Sequence, residues 1–251
     1  MEHRDIVPRY LREPGVEIGA FTAPIPGIQP VYVDRFAEYA GQRTGAEYFG
    51  DACELPFHND SLRYVATSHV LEHVANPLAA LREWHRVLRH GGIIYMVLPD
   101  RRKSFDRDRP LTPVTHMLED FQRGTTQVDA THIDDFVSRV TFAEFWANTP
   151  PERERETREQ LAEKYHHAVK HGNEINIHFH VFESSVALNL IDVGNHEKIW
   201  PGSIDVVEVQ ENFPSSNPNG FLIVARARKP WHERVSSVFR RRGLRSDARR
   251  L

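Results

Sequence analysis

The fold of this chain is decided by residues 50–98, which read GDACELPFHNDSLRYVATSHVLEHVANPLAALREWHRVLRHGGIIYMVL. Two apolar runs in this stretch, 62–67 and 93–98, have the composition of strands buried on both faces of a parallel sheet. Residues 77–88 lie between these runs and carry apolar side chains three and four positions apart, which predicts a helix. A strand, a helix and a second strand in this order predict one right-handed βαβ unit.

The ends of these elements are marked by residues with clear local preferences. Asn76 is predicted to cap the helix, with Pro77 at its first position, and Gly91-Gly92 is predicted to end it and start the next strand. Ligands of parallel sheets bind at the carboxyl ends of the strands. The sequence therefore predicts a binding site at residues 68–73 and 99–102.

The composition is that of a globular protein, since 40% of the 251 residues are hydrophobic and 27% are charged. We predict one domain over residues 1–230, with an inserted region at about 104–177 and a flexible basic tail at 231–251. The net charge of −3 argues against a nucleic-acid binder whose whole surface is basic, so no nucleic acid is expected as a partner.

The single cysteine, Cys53, allows no internal disulfide and suits a reducing cytoplasm. A buried apolar role is the favoured interpretation of this side chain, and catalysis is the alternative. The N-terminal residues lack the pattern of a signal peptide, and no apolar run approaches the length of a membrane span. We therefore expect a cytoplasmic protein without a transmembrane segment.

Four short motifs follow one another in the chain: LPF at 55–57, SHVLEHV at 68–74, RVLRHGG at 86–92 and LPD at 98–100. In this order they resemble the class I S-adenosylmethionine-dependent methyltransferases of the methyltransferase-domain-11 kind. The resemblance covers residues 14–100 and continues more weakly over 178–227. It implies an α/β fold, namely a seven-stranded Rossmann-like sheet with helices on both faces and an inserted helical cap after the fifth strand. It also implies S-adenosyl-L-methionine as cofactor.

The regions outside these motifs carry weaker patterns. Residues 1–13 are polar and predict a lid or a short helix. Three prolines at 24, 26 and 30 predict that the family's first helix is short or replaced by a loop. Near the other end, residues 184–193 predict the last major helix, and 204–209 and 221–227 predict the last two strands, the final one antiparallel by the resemblance.

Seven residues are candidates for cofactor binding: Glu17, Gly19, Asp34, Asp51, Ala52, Ser68 and His69. Glu17 and Gly19 match the start of the family's first motif, although a plain tight turn gives the same pattern. Asp34 follows an apolar run, where a carboxylate can accept both hydrogen bonds of a ribose diol; a solvated aspartate is the alternative. The resemblance places adenine at Asp51 and Ala52, although Asp51 also suits a helix cap.

His69, Glu72 and His73 form a candidate metal site. They share one face if this turn is helical, and all three side chains are metal ligands. Some quinone-biosynthesis methyltransferases of the family have Glu-x-x-Glu-His here and hold a divalent ion, so Mg²⁺ or another divalent cation is a candidate cofactor. The alternative is that the histidines cap the turn or line the pocket.

The inserted region and the residues after it contain a series of histidines and aspartates: His116, Asp120, His132, Asp134, Asp135, His178 and His180. His178 and His180 would share one face of an extended segment. Together with His73, we take His132, His178 and His180 as candidate catalytic residues, because a positioned histidine can act as a general base. Metal ligands and hydrogen-bonded structural histidines remain as alternatives.

The charged run at 100–113 is interpreted either as a solvated loop or as a contact for a polar or anionic substrate. With the histidine series and the IHFHV motif at 177–181, this run resembles methyltransferases of polysaccharide and lipopolysaccharide biosynthesis. The expected reaction is therefore O-methylation of a sugar hydroxyl on a saccharide or polysaccharide precursor, the mycobacterial methylmannose polysaccharide type being one example.

Other functions are weighed against this expectation. A quinone or phenol O-methyltransferase is the first alternative, and a non-catalytic S-adenosylmethionine-binding module is the second. A nicotinamide-dependent oxidoreductase is disfavoured, because the turn after the first strand lacks the G-x-G-x-x-G pattern. The expected partner is a saccharide or another hydroxylated small molecule, and the sequence is compatible with a homodimer.

Overall fold

The structure, a computed structural model, describes residues 1–39 and 41–230. The predicted basic tail at 231–251 lies outside the described residues. Within the described part of the chain, no helix combines the length and the apolar character needed to cross a membrane.

The described strands are β1 (Gly15–Ile18), β2 (Val31–Asp34), β3 (Glu38–Tyr39), β4 (Gln42–Arg43), β5 (Tyr48–Phe49), β6 (Leu62–Ser68), β7 (Leu88–Pro99), β8 (Ser203–Phe213) and β9 (Gly220–Arg228). Seven of them form one sheet in the order β5-β2-β1-β6-β7-β9-β8, and β3 pairs with β4 as a small hairpin. Only β9 runs antiparallel to its neighbours in the large sheet, β7 and β8. This confirms the predicted seven-stranded Rossmann-like sheet.

The described α-helices are α1 (His3–Tyr10), α2 (Pro77–Val87), α3 (Val114–Arg123), α4 (Ala130–Arg139), α5 (Phe142–Phe145), α6 (Glu154–Lys170) and α7 (Ser184–His196). Short 3₁₀ turns occur at Leu71–His73, Arg101–Lys103 and Pro151–Arg153. Asn76 caps α2 as predicted, because its side chain accepts the backbone N–H of Ala79 at 3.0 Å.

The predicted end of α2 at Gly91-Gly92 is wrong. The helix ends at Val87, and β7 already begins at Leu88. Leu88 pairs with Leu62 of β6, whereas Ile93 pairs with Tyr64, so the residues between them form a bulge in β7. Gly91 has a φ of +79°, a backbone conformation that suits glycine in a bulge. The glycine pair therefore shapes the strand and does not terminate the helix.

Helices cover both faces of the sheet. Leu81 and Trp84 of α2 pack in one buried cluster with Ile94 and Met96 of β7, and α3 and α7 join this face. On the opposite face, α1 packs against the alternate residues of the same strands in a second cluster. Residues 1–13 thus supply a helix that buries apolar surface on the sheet. Between β1 and β2 the chain contains no helix, as the three prolines predict.

The inserted region at 104–177 contains α3 to α6, which divide into two packing groups. Met117 of α3 belongs to the same buried cluster as α2 and α7, so α3 is part of the layer that covers the sheet. Phe136 of α4 packs with Leu161 of α6 and Ile177 in a separate cluster. The helical cap therefore has a small core of its own, built from α4 to α6.

The charged run after β7 is an internal network of ion pairs. The Arg109 side chain is fully buried and donates to Asp106 at 2.7 Å and to Asp135 at 2.9 Å. Its guanidinium also donates to the backbone carbonyl of His178 at 2.9 Å. Arg109 is therefore neither solvated nor free to contact a substrate, whereas Arg107 stays half-exposed.

Candidate active site

A cavity of about 1050 Å³ opens at the carboxyl ends of β1, β2, β5 and β6. Six of the residues that the sequence predicts for the site line it: Gly19, Asp34, Asp51, Ala52, His69 and His73. The position agrees with the expectation that ligands of such sheets bind where the parallel strands end. The opposite wall comes from the inserted region, from residues 121–127 and 174–176, together with Phe179.

Gly19 brings the backbone close to the turn after β6. Its φ is +69°, and a Cβ atom there would lie 2.6 Å from Cγ2 of Val70. No L side chain fits without moving Val70, and the positive φ adds strain. Gly19 thus lets the loop after β1 approach the next strand end, which is the arrangement expected where backbone faces a ligand.

Two carboxylates lie at neighbouring strand ends on the cavity wall. Asp34 ends β2, and its Oδ1 accepts the backbone N–H of Phe36 at 3.0 Å. Asp51 follows β5, and its Oδ1 accepts the backbone N–H of Cys53 at 2.7 Å. Each local hydrogen bond fixes the side chain, so that both carboxylates present acceptors to the cavity.

Arg35 links the cofactor side of the cavity to the inserted region. One of its guanidinium nitrogens lies 3.6 Å from Asp51 Oδ2, and the other lies 2.5 Å from Glu174 Oε1. Glu174 belongs to the segment after α6 that forms part of the opposite wall. The ion pairs therefore hold the two walls together.

Burial raises the pKa of the Cys53 thiol, and the nearby Asp51 carboxylate raises it further. The side chain therefore stays protonated at neutral pH and is a poor nucleophile. This supports the buried apolar interpretation of Cys53.

Glu17 and Ser68 do not line the cavity. The Glu17 side chain is 1% exposed, and its Oε1 accepts the backbone N–H of Ile25 at 2.9 Å. This hydrogen bond holds the loop between β1 and β2 in place. Burial raises the pKa of Glu17 to about 7, and the hydrogen bond from Ile25 only partly opposes this shift.

Replacing Glu17 should change how stability depends on pH. Because the folded pKa of about 7 exceeds the ordinary value of 4.5, the folded protein holds the extra proton between these two values. Deprotonation should therefore cost the wild type about 3 kcal/mol as pH rises from 4.5 to above 7, a cost absent in Glu17→Gln. Urea unfolding at pH 5 and pH 8 measures this difference.

The exposed carboxylate of Glu163 on α6 provides a control for this measurement. Glu163→Gln should leave the pH dependence of the free energy of unfolding as it is in the wild type. An equal pH dependence in the wild type and Glu17→Gln would contradict a pKa of about 7 for the buried Glu17.

Glu72 lies at the centre of a histidine group beside the cavity. Its side chain is fully buried, with Oε1 at 3.5 Å from Nδ1 of His69 and 3.8 Å from Nε2 of His73. Burial alone would raise the pKa of Glu72, but His69, His73 and His178 outweigh it and lower the pKa. The carboxylate is thus held ionised among imidazoles.

His69 and His73 differ in their surroundings although both line the cavity. His69 has a φ of +55°, an uncommon conformation for a residue other than glycine. Burial lowers the pKa of His69, but the Glu72 carboxylate outweighs it and raises the pKa above its ordinary value. Burial lowers the pKa of His73, and Glu72 only partly offsets that shift. His73 is therefore the ring that stays neutral at physiological pH.

Three possible metal ligands converge beside the cavity, and they differ in one residue from the predicted site of His69, Glu72 and His73. Glu72, His73 and His178 offer donor atoms that all lie within 4.8 Å of one another. His69, predicted as the third ligand, contacts Glu72 from the other side and is not in this group. His178 takes its place because the segment after α6 passes directly over the 3₁₀ turn, where Phe179 donates its backbone N–H to the Glu72 carbonyl.

His132, His178 and His180, the other predicted catalytic residues, are buried and do not line the cavity. Nδ1 of His178 lies 2.5 Å from Asp106 Oδ2. Burial would raise the pKa of Asp106, but His178 and Arg109 outweigh it and lower the pKa. The His132 ring contacts both Phe179 and His180. Phe179 lines the cavity, so the two histidines lie behind this wall residue. A catalytic role for these three residues stays a prediction.

Some residues of the site were not singled out from the sequence. These are Arg35, Glu174 and the wall residues 121–127 and 174–176. The polar FQRGTTQ run after an amphipathic helix predicts a turn at Gly124, which indeed has a φ of +66°. Nothing in that local pattern indicates that the turn faces a cavity, because the contact depends on how α3 packs against α2.

Comparison with known proteins agrees with this architecture. Residues 19–96 match the family model described as Methyltransferase domain. The chain is similar to a demethylmenaquinone methyltransferase of Staphylococcus epidermidis, with 47% identity over 45 residues, which is 18% of this chain and 19% of that protein. It is similar over 51 residues, again at 47% identity, to an uncharacterized 37.1 kDa protein in a transposon of Streptomyces fradiae, covering 20% of this chain and 15% of that protein. The chain thus spans about a fifth of the length of these curated relatives.

The chain is also similar to solved structures at low sequence identity. An S-adenosylmethionine-dependent methyltransferase from Methanosarcina mazei has a TM-score of 0.48 at 16% identity, covering 92% of this chain and 100% of that chain. One from Mesorhizobium loti has a TM-score of 0.45 at 17% identity, covering 89% and 95%. The seven-stranded sheet with its antiparallel β9 is the Rossmann-like methyltransferase fold, and residues 19–96 within it match the methyltransferase-domain model.

Proposed function

We propose that this chain is an S-adenosylmethionine-dependent O-methyltransferase whose acceptor is a hydroxyl group of a saccharide or polysaccharide precursor. The observation that carries the proposal is the cavity at the strand ends, with carboxylates on one wall, a histidine at its floor and a polar wall from the inserted region. The choice of a saccharide as the acceptor is the more specific part of the proposal.

The residues on the β1, β2 and β5 side of the cavity fit S-adenosylmethionine. Asp34 would accept the hydrogen bonds of the ribose diol, and Asp51 with the backbone of Ala52 would bind the adenine. Gly19 allows the backbone to lie against the cofactor, since any Cβ there would collide with Val70. When bound, the cofactor supplies an electrophilic methyl group.

The opposite wall suits an acceptor with several hydroxyl groups. Its polar side chains are those of Gln122, Arg123, Thr125, Thr126, Gln127, Glu174 and Asn176. Phe121 and Phe179 add apolar surface against which a sugar ring can pack. The hydroxyl and amide groups of this wall offer hydrogen bonds that a sugar can make and an apolar ring system cannot.

His73 is placed to remove the proton from an acceptor hydroxyl. The backbone carbonyl of Ile177 lies 3.0 Å from Nδ1 and accepts a hydrogen bond from its N–H, so Nε2 carries the free lone pair. Glu72 Oε1, at 3.8 Å from Nε2, stabilises the positive charge that the ring gains when it takes the proton. His69 helps by keeping Glu72 ionised.

A divalent cation is the alternative means of activating the hydroxyl. The two carboxylate oxygens of Glu72 have no hydrogen-bond partner among the described residues, so Glu72, His73 and His178 could hold a divalent ion, and the two imidazoles favour a transition metal over Mg²⁺. Such an ion lowers the pKa of a bound hydroxyl and orients neighbouring oxygens.

A quinone or phenol O-methyltransferase is the second candidate function. The short segment shared with the demethylmenaquinone methyltransferase supports it. The polar wall at 121–127 and 174–176 disfavours it, because a quinone ring calls for an apolar pocket. A non-catalytic binding module would keep the cofactor side of the cavity and lack turnover.

One assay separates these possibilities. The purified protein is incubated with S-adenosylmethionine labelled in the methyl group, with and without Mg²⁺, against a panel of mono- and oligosaccharides and a hydroxylated quinol. Methyl transfer to a saccharide hydroxyl is the expected result. Transfer to the quinol alone would overturn the saccharide proposal. Cofactor binding by calorimetry with no transfer to any acceptor would favour the binding module.

Asp34→Asn should weaken cofactor binding by about 10–100-fold, because a charged acceptor is replaced by a neutral amide. The amide oxygen can still accept the Phe36 N–H, so the local turn is kept. Calorimetric titration with S-adenosylhomocysteine measures the change in Kd. Asp205→Asn, on the edge strand β8, is the matched control and should bind as the wild type does. Equal affinity of Asp34→Asn and the wild type would contradict the ribose assignment.

A further inference from the structure

A second group of histidines converges outside the cavity. His116 and Asp120 lie on α3, His132 lies on α4, and His180 lies in the segment that follows α6. Ligand atoms of the three histidines all lie within 4.8 Å of one another. These side chains do not line the cavity and take no part in the reaction proposed above.

The distances in this group match the edges of a metal coordination sphere. Nε2 of His116 lies 3.2 Å from Nε2 of His132, and Asp120 Oδ2 lies 3.4 Å from the first and 3.8 Å from the second. Four ligands placed tetrahedrally at the usual Zn–N distance of about 2.0–2.1 Å are about 3.3 Å apart from one another. The three atoms therefore already surround a point at which a cation could be bound by all of them.

Hydrogen bonding explains only part of this arrangement. One N–H can be shared between His116 and His132, which accounts for their contact. Among the described residues, however, Asp120 Oδ2 and both ring nitrogens of His180 have no hydrogen-bond partner. Both side chains are 0% exposed, so water does not reach them from the surface. Buried polar atoms are rarely left unpaired, and a bound cation would satisfy them.

Hydrogen bonds from neighbouring side chains orient the ligand atoms of this histidine group, as they do in metal centres. Asp129 Oδ1 lies 2.8 Å from Nδ1 of His132, which fixes the proton there and leaves Nε2 free to bind. Arg123 donates to Asp120 Oδ1 at 2.7 Å, which leaves Oδ2 facing the histidines.

We propose that His116, His132 and His180 bind one Zn²⁺ ion as a structural centre, with Asp120, which lies beside the first two, as the fourth ligand once the ion draws His180 and Asp120 together. Imidazole ligands favour zinc and its transition-metal neighbours over Mg²⁺ and Ca²⁺, which prefer oxygen. Four protein ligands close a tetrahedral site and leave no position for a substrate. The ion joins α3, which packs on the sheet, to α4 of the cap and to the segment that carries Phe179.

This position gives the ion a role in shaping the cavity. Residues 121–127, which form part of the cavity wall, directly follow Asp120 on α3. The His180 ligand directly follows Phe179, another wall residue. The site differs from the group of Glu72, His73 and His178, so the two can be separated by substitution. The proposal does not depend on the saccharide acceptor.

The first test uses the full-length wild-type protein. After removal of metal with a chelator and addition of Zn²⁺, elemental analysis should find about one zinc per chain that survives gel filtration. Loading with Co²⁺ instead should give the intense visible absorption of a four-coordinate ion. Stripping the zinc should lower the melting temperature by roughly 5–10 °C. Failure of the wild type to retain zinc, or a six-coordinate Co²⁺ spectrum, would overturn the proposal.

Variants then locate the ion. His180→Gln and Asp120→Asn should each lose the bound zinc and the Co²⁺ absorption. His85→Gln is the matched control, because His85 is equally buried but lies on α2, where its ring packs against Trp200. It should keep both signals. Circular dichroism confirms that each variant is folded, and the cobalt spectrum of the wild type tests the site even where a variant does not fold.

The competing location is tested in the same series. Zinc retained in His180→Gln and lost in His178→Gln would place the ion at Glu72 and His73, and would overturn the proposal. Zinc retained in His178→Gln and lost in His180→Gln would support it. The methyl-transfer assay of the wild type is a separate measurement, so the failure of one proposal does not decide the other.

Discussion

His73→Ala should lower the turnover number for methyl transfer by about 10²–10⁴-fold, the usual loss when a general base is removed. The ring faces the cavity, and the Ile177 carbonyl holds its Nδ1 proton at 3.0 Å. Glu72 lies where it can stabilise the protonated ring. The measurement is the rate of labelled methyl incorporation at saturating cofactor and acceptor.

Chemical rescue distinguishes a general base from a structural residue at this position. Added imidazole should restore part of the activity of His73→Ala, because it can enter the space left by the ring. His85→Ala, which also removes a buried imidazole, should keep most of the wild-type turnover and show no response to imidazole. A loss of less than about tenfold in His73→Ala would exclude it as the base.

Arg109→Leu should destabilise the fold by about 3–5 kcal/mol, because removing one member of a buried ion pair leaves the others unpaired. Arg109 is 0% exposed and joins Asp106, Asp135 and the carbonyl of His178. Its guanidinium also lies over the ring of Phe136, 5.2 Å from the centroid. Urea unfolding at pH 7 measures the change in the free energy of unfolding.

Arg107→Leu is the matched control for this prediction. Arg107 lies two residues away and pairs with Glu144 at 2.7 Å, but its side chain is 53% exposed. Exposed ion pairs contribute at most about 1 kcal/mol, so the control should unfold close to the wild type. Equal unfolding midpoints for the two variants would contradict the assignment of Arg109 to the buried network.

The sequence predicts most of the sheet because each strand has a local signature. The buried runs at 62–67 and 93–98 and the capped helix at 77–88 follow from periodicity and from Asn76, and the structure confirms these elements as β6, part of β7 and α2, with α2 ending one residue earlier, at Val87. Gly91-Gly92 misled the prediction, because a glycine pair is typical both of a helix end and of a strand bulge. Only the pairing of Ile93 with Tyr64 distinguishes them, and that pairing involves residues distant in the sequence.

The site was predicted less completely, because its members meet through tertiary packing. Asp34 could be placed at the cavity because it follows an apolar run, and Asp51 because of the family resemblance. The histidines could be recognised as a set, but not divided into groups. His178 joins Glu72 and His73, whereas His180, two residues on, joins His116 and His132. The predicted shared face of His178 and His180 is therefore wrong: an extended segment would place both on one side, but this segment bends at residues 177, 179 and 180 and directs them to different groups.

The most direct test of the account is a crystal structure of the protein with S-adenosylhomocysteine. We expect the ribose to hydrogen-bond to Asp34, the adenine to lie at Asp51 and Ala52, and the sulfur to point towards His73 and the wall formed by residues 121–127. A nucleoside bound elsewhere, or a cavity that stays empty at saturating ligand, would contradict the assignment of this cavity to methyl transfer.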